Sequence, residues 1–93
     1  MSVKIFDWNL EKNEILKKTR GVSFEDVLIA ISENKILDIL KHPNQEKYSN
    51  QKILVIEIND YAYLVPFVED KDKIFLKTIF ANQKATKIYI LKK

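Results

Sequence analysis

Hydrophobic and polar positions follow two rhythms along this chain, a helical one in the first third and a two-residue one from residue 36 onward. The opening Val3-Lys4-Ile5-Phe6-Asp7-Trp8 alternates and is rich in β-branched and aromatic side chains, which predicts a short strand. Asn9 is placed to cap a following helix, with Glu11 and Glu14 near its positive end and Lys17, Lys18 and Arg20 near its negative end. Gly21 stands where a left-handed residue would end that helix. Ser23-Phe24-Glu25-Asp26 then sets a hydroxyl and a carboxylate three residues apart, a capping-box pattern with Asp in the acidic position. Phe24, Val27, Leu28 and Ile31 are spaced three and four apart and predict one apolar helix face.

From Ile36 the period becomes two. Ile36-Leu37-Asp38-Ile39-Leu40 reads as a strand, followed by a polar connection over 42–51. Ile53-Leu54-Val55-Ile56-Glu57-Ile58 is almost continuously apolar, as expected of a central strand covered on both faces. Asn59-Asp60 tolerates positive φ and predicts a hairpin into Tyr61–Val68, within which Pro66 cannot donate to a ladder and marks an edge or a bulge. Ile74–Phe80 is predicted as one further strand. Lys84–Leu91 is open to two readings: Ala85, Ile88 and Leu91 fit a helical stripe, whereas Ile88-Tyr89-Ile90-Leu91 could extend a sheet; a short helix is favoured. The order predicts one α+β domain over 1–93. An N-terminal strand and two helices pack on one face of a twisted antiparallel sheet, with a short basic C-terminal element. The other face, or the C-terminal edge, is expected to stay free for a ligand.

Composition narrows the function. A hydrophobic fraction of 46% and a charged fraction of 31% suit a globular chain, and no apolar run approaches the length of a membrane span. Cysteine is absent, which excludes disulfides and thiolate zinc sites and makes the cytoplasm the expected compartment. One glycine excludes phosphate-binding glycine loops, and one histidine, His42, leaves no recognisable metal-ligand set. No cofactor and no metal are expected. Residues 1–70 carry nine basic and twelve acidic side chains, whereas residues 71–93 carry seven lysines against Asp72 alone. That asymmetry predicts a local field attractive to polyanions, of which nucleic acid is the usual one.

Two polar groups remain as candidate chemistry. His42, Glu46, Lys47 and Tyr48 lie in the mid-chain connection, and Lys77, Lys84, Lys87 and Tyr89 lie in the last quarter. Together such residues could break a phosphodiester without metal. Lys77, Lys84 and Lys87 would hold the phosphate and its transition-state charge, His42 or Glu46 would take the proton of the ribose 2′-hydroxyl, and Tyr48 or Tyr89 would stack on a base or orient it. Lys47 joins Lys84, Lys87 and Tyr89 as an RNA-binding candidate, and His42, Glu46, Tyr48, Lys77 and Lys84 form the catalytic set. Each has a plainer reading: a histidine before proline as a solvated loop residue, Tyr48 as a core aromatic, and the lysines as a solubilising tail.

The ordered residues also resemble a known family. Phe6-Asp7-Trp8-Asn9 with Glu11-Lys12, Gly21-Val22-Ser23-Phe24-Glu25-Asp26-Val27, Glu46-Lys47-Tyr48, and Lys77-Thr78-Ile79 followed by Lys84-Ala85-Thr86-Lys87 are similar, in that order, to motifs of the BrnT family of bacterial toxins. The resemblance implies a RelE-like fold and a metal-independent ribonuclease that inhibits translation. It also implies a cognate ribbon-helix-helix antitoxin of the BrnA kind, with a homodimer or a toxin–antitoxin heterotetramer as the assembly. No membrane partner is implied. The sequence departs from the family pattern at Arg20, where the family usually has His, at Leu16 in place of Asn, and at Ala81-Asn82-Gln83 in place of Ser-Ala-Arg. A neutral Gln83 removes a planar phosphate clamp, so a weakened or inactive module that binds RNA or an antitoxin without cleavage is the alternative.

Overall fold

The computed structural model describes residues 4–48 and 50–91. Strand β1 (Ile5–Trp8) leads into helix α1 (Leu10–Arg20), which Asn9 caps by accepting the Lys12 N–H at 2.8 Å and Gly21 ends at φ 68°. Helix α2 (Phe24–Ser32) follows, with the capping box formed: Ser23 Oγ accepts the Asp26 N–H at 3.2 Å, and Asp26 Oδ2 accepts the Ser23 N–H at 2.9 Å. Buried Asn13 joins the two helices, its Oδ1 accepting the Phe24 N–H and its Nδ2 donating to Glu25 Oε1, both at 2.8 Å.

The remaining strands are β2 (Ile36–Lys41), β3 (Gln51–Ile58), β4 (Tyr61–Glu69), β5 (Lys73–Leu76) and β6 (Phe80–Ala81). They form one sheet in the order β1-β5-β4-β3-β2, with β6 also paired to β4. Asn59 and Asp60 turn the β3–β4 hairpin at φ 53° and 63°. The expectation of an antiparallel sheet needs correction, because β1 lies parallel to β5, with Ile5 opposite Lys73 and Trp8 opposite Leu76. The two helices and three strands between β1 and β5 provide the crossover that parallel neighbours require.

The strand expected over 74–80 is also corrected. It breaks after Leu76, which is registered with Phe67, and resumes at Phe80, registered with Leu64, so it carries one residue more than β4 across that stretch. Pro66 sits in β4 at the break. Its carbonyl accepts the Lys77 N–H at 2.8 Å, but it has no N–H to return. The surplus residue leaves the ladder and Ile79 turns fully into the core.

Leu16, Val22, Phe24, Val27 and Ala30 pack on Leu54, Ile56, Val65, Phe67 and Leu76 to form the main core. Ala30 is buried where the helical pattern suggested Leu28, which is half-buried. The opposite face is not wholly free. Helix α3 (Gln83–Thr86) and a π-helical turn over Lys87–Leu91 lie across it, burying Val55, Ala62 and Ala85 with Leu37, Leu64, Tyr89 and Ile90 at their margin. The favoured helix is therefore present, and β3 is covered on both faces. Lys92 and Lys93 fall outside the described residues. The whole is a small α+β domain with three helices and a mixed sheet, and among the described residues no helix is long and apolar enough to cross a membrane.

Thr86 fastens the last helix. Its Oγ1 accepts the buried Ala62 N–H at 2.9 Å and donates to the Asn82 carbonyl at 2.8 Å. Thr86→Val keeps the shape and leaves that N–H unpaired, so it is expected to destabilise the protein by about 1–3 kcal/mol, read from the midpoint of urea unfolding.

Candidate nucleic-acid interface

The sheet register places the eight predicted site residues relative to one another. His42 continues β2, its N–H donating to Gln51 O at 3.2 Å. Lys77 lies across from Leu40 along the row Leu40–Ile53–Pro66, three strand spacings or about 14 Å away. Lys84 belongs to α3, which is seated at Ala62, six residues along β4 from Val68, the residue registered with Gln51. That is about 20 Å from the row of His42. Tyr89 meets Asp38, about 13 Å along β2 from His42. The expected single pocket is therefore not assembled: the mid-chain loop and the C-terminal lysines occupy different parts of the sheet.

Within the mid-chain loop His42 and Tyr48 do come together, with ring centroids 4.3 Å apart and a 42° tilt, and Lys47 Nζ stands 5.4 Å from the Tyr48 centroid. His42 Nδ1 accepts the Asn44 N–H at 3.0 Å, and Gln45 Nε2 donates to the His42 carbonyl at 2.7 Å. An imidazole whose Nδ1 is engaged as an acceptor carries its proton on Nε2. His42 is thus arranged to donate a hydrogen bond from Nε2, and a proton-accepting role for Nδ1 would require its bond to the Asn44 N–H to break. Glu46 is exposed in the same turn and forms no ion pair with a described residue.

Tyr89 has a structural role. Its hydroxyl donates to Asp38 Oδ2 at 2.6 Å, while Asp38 Oδ1 accepts the Ile39 N–H at 2.8 Å. These bonds hold the Asp38 carboxyl below its ordinary value, the phenol first and the backbone amide second, and the same contact pushes the Tyr89 phenol up. A half-buried ring tied by its hydroxyl and packed on the sheet does not present itself for base stacking. Asp38 was the residue that sequence reasoning missed. A lone acid inside an apolar strand is the signal that could have found it.

The lysines at the C-terminal end remain available. Ion pairs among the described residues engage Lys4, Lys17, Lys52 and Lys73, whereas Lys77, Lys84 and Lys87 are exposed and have no carboxylate partner. Ala85, Thr86, Tyr89 and Ile90 turn inward, so Lys84 and Lys87 share the outer surface of the last helix with exposed Ile88 and Leu91. Two concavities lie elsewhere. One, of about 210 Å³, sits beside Asp26, Glu33, Lys35 and Glu57, and the other, of about 260 Å³, is apolar and sits between Ile31 of α2 and the sheet residues Ile36, Ile39 and Leu54; none of the eight predicted residues lines either. No cluster of His, Cys, Asp and Glu suited to a metal ion occurs among the described residues.

The Asp38–Tyr89 contact has a pH signature. A carboxyl whose pKa is lowered on folding stabilises the protein above its ordinary value of 3.8, and that contribution is lost as pH falls through the lower folded value. In Tyr89→Phe the Asp38 carboxyl is expected to titrate closer to 3.8, followed by its NMR chemical shift, with acid unfolding beginning at higher pH than in the parent. In comparisons with known proteins the chain matches no family model, no curated protein and no solved structure.

Proposed function

We propose that this chain is a BrnT-like module of RelE-like fold that binds RNA through Lys77, Lys84 and Lys87 without cleaving it efficiently. The fold supports the reading in outline: a strand and two helices precede the main strands, and α1 and α2 share one face of the sheet. The observation that carries it is the separation of charges. Lys77, Lys84 and Lys87 lack carboxylate partners among the described residues, while the groups that would move a proton lie many ångströms away in the 42–48 loop. Unpaired ammonium groups bind phosphates by releasing counterions and need no catalytic partner. The ribbon-helix-helix antitoxin implied by the resemblance would cover the same helix, its acidic groups meeting Lys84 and Lys87 and its apolar side chains meeting Ile88 and Leu91.

The second reading is the active toxin, a metal-independent endoribonuclease that cuts RNA by attack of the 2′-hydroxyl and so inhibits translation. The His42–Tyr48 stack favours it, since the Nε2–H of His42 is a donor that no described residue accepts and could meet a phosphate oxygen. Gln83 in place of the family's arginine and the exposed, isolated Glu46 weigh against it.

Fluorescence titration of a single-stranded RNA is expected to show binding that weakens as salt rises, with a slope of log K on log salt of about −2 for three phosphate contacts. Lys84→Ala with Lys87→Ala should reduce that slope to about −0.7 and weaken binding at least tenfold while leaving the fold intact. Gel analysis of the same RNA, with and without ribosomes, should find it uncut. Fragmentation together with growth arrest on expression would establish the second reading, and salt-insensitive or absent RNA binding would remove both.

A further inference from the structure

The helix-facing side of the sheet is only partly covered. Beside the end of α2, whose Ile31 forms part of the wall, it opens into the apolar cavity of about 260 Å³, also walled by Phe6, Ile36, Ile39, Leu54 and Phe67. A β-bulge shapes this wall. Ile36 is registered with Ile56 and Asp38 with Val55, so Leu37 is surplus. The surplus residue sends Leu37 and Asp38 to the face of the C-terminal helix, where Leu37 packs on that core and Asp38 meets Tyr89. Ile36 and Ile39, three residues apart, consequently both border the cavity, and they are 41% and 53% exposed.

Charge gathers at one rim. Glu69 and Lys52 line the cavity, and Glu69 accepts from Lys4 Nζ at 2.6 Å through Oε2 and from Lys52 Nζ at 3.1 Å through Oε1. Both carboxylate oxygens are thereby committed. Two ammonium groups share one negative charge, leaving one positive charge in excess, and each ammonium has further N–H donors beyond the one directed at Glu69. An apolar hollow with a single surplus cation at its edge complements a molecule with an aliphatic body and one anionic head.

We propose that this cavity binds a small free aliphatic monocarboxylate, its chain on the exposed sheet floor and its carboxylate on Lys52 and Lys4. At roughly 30 Å³ per small group in a liquid, the volume admits on the order of eight or nine heavy atoms, enough for the eight carbons of octanoate with its two oxygens at the charged rim. The site is independent of the RNA-binding surface, because it lies on the other face of the sheet from the C-terminal helix.

The test is a titration of the full chain with octanoate, octanol and octylammonium, followed by backbone amide NMR shifts. Octanoate is expected to bind with Kd on the order of 0.1–1 mM and to shift Ile39, Leu54 and Phe67, with octanol weaker and octylammonium weakest. Lys52→Met keeps the aliphatic stem and should weaken octanoate about tenfold while leaving octanol unchanged; Lys4→Met serves the same purpose if the first variant does not fold. Ile39→Trp, at the open mouth, should block all three. The proposal is overturned if octanoate causes no shift at the cavity residues, if the three head groups bind alike, or if the folded lysine variants retain full octanoate affinity.

Discussion

The Thr86 hydroxyl is the contact on which the arrangement of the C-terminal quarter depends. The Ala62 N–H is buried at the point where β6 has ended, and an amide there without a partner would carry a desolvation cost of a kilocalorie or more per mole. Thr86 accepts that N–H and donates its own O–H to the Asn82 carbonyl, so one side chain completes β4 and closes the first turn of α3. Ala85 beside it is small enough for the helix to settle on Val55 and Ala62. With this contact and the Tyr89–Asp38 hydrogen bond made, Tyr89 and Ile90 face the sheet and Lys84 and Lys87 face away.

Two irregularities in the strands give the sheet its distinct faces. The bulge at Leu37 and Asp38 turns consecutive residues to the same side, which anchors Tyr89 on one face and leaves Ile36 and Ile39 together on the other. The break opposite Pro66 has a comparable effect at the other side of β4. A missing N–H releases one residue from the ladder, Ile79 enters the core, and Lys77 is left at the end of β5 without an acidic neighbour. Both features arise from single residues, and both determine which side chains a ligand can reach.

Much of the fold is legible in local chemistry. Asn9, Gly21, Ser23 with Asp26, and Asn59-Asp60 each satisfy or redirect specific backbone groups within a few residues, and each performs in the structure the role its chemistry suggests. What local chemistry does not carry is pairing between distant segments. Nothing near Ile5 specifies that β1 runs parallel to β5, and nothing near Lys84 specifies that the tail crosses β4 and β3. The candidate site fails as a single pocket for the same reason. Residues 42–48 and 77–89 are each plausible alone, yet their meeting depended on sheet register, and a surplus residue in a strand reverses the side on which later side chains lie. Tyr89 illustrates the point, since its partner Asp38 is 51 residues away.

A nucleic-acid interface made from one helix face makes a sharp distinction among the lysines. Lys17 and Lys73 are each paired with a carboxylate, Glu14 and Asp7, and Lys4 and Lys52 share Glu69, whereas those of the last helix have no carboxylate partner among the described residues. Quantitative acetylation of lysine amines, read by mass spectrometry with and without saturating single-stranded RNA, therefore tests the account most directly. It predicts strong protection of Lys84 and Lys87, partial protection of Lys77, and unchanged reactivity at Lys12, Lys17 and Lys52. Protection concentrated on the helices of the other face, or spread evenly over all lysines, would contradict it.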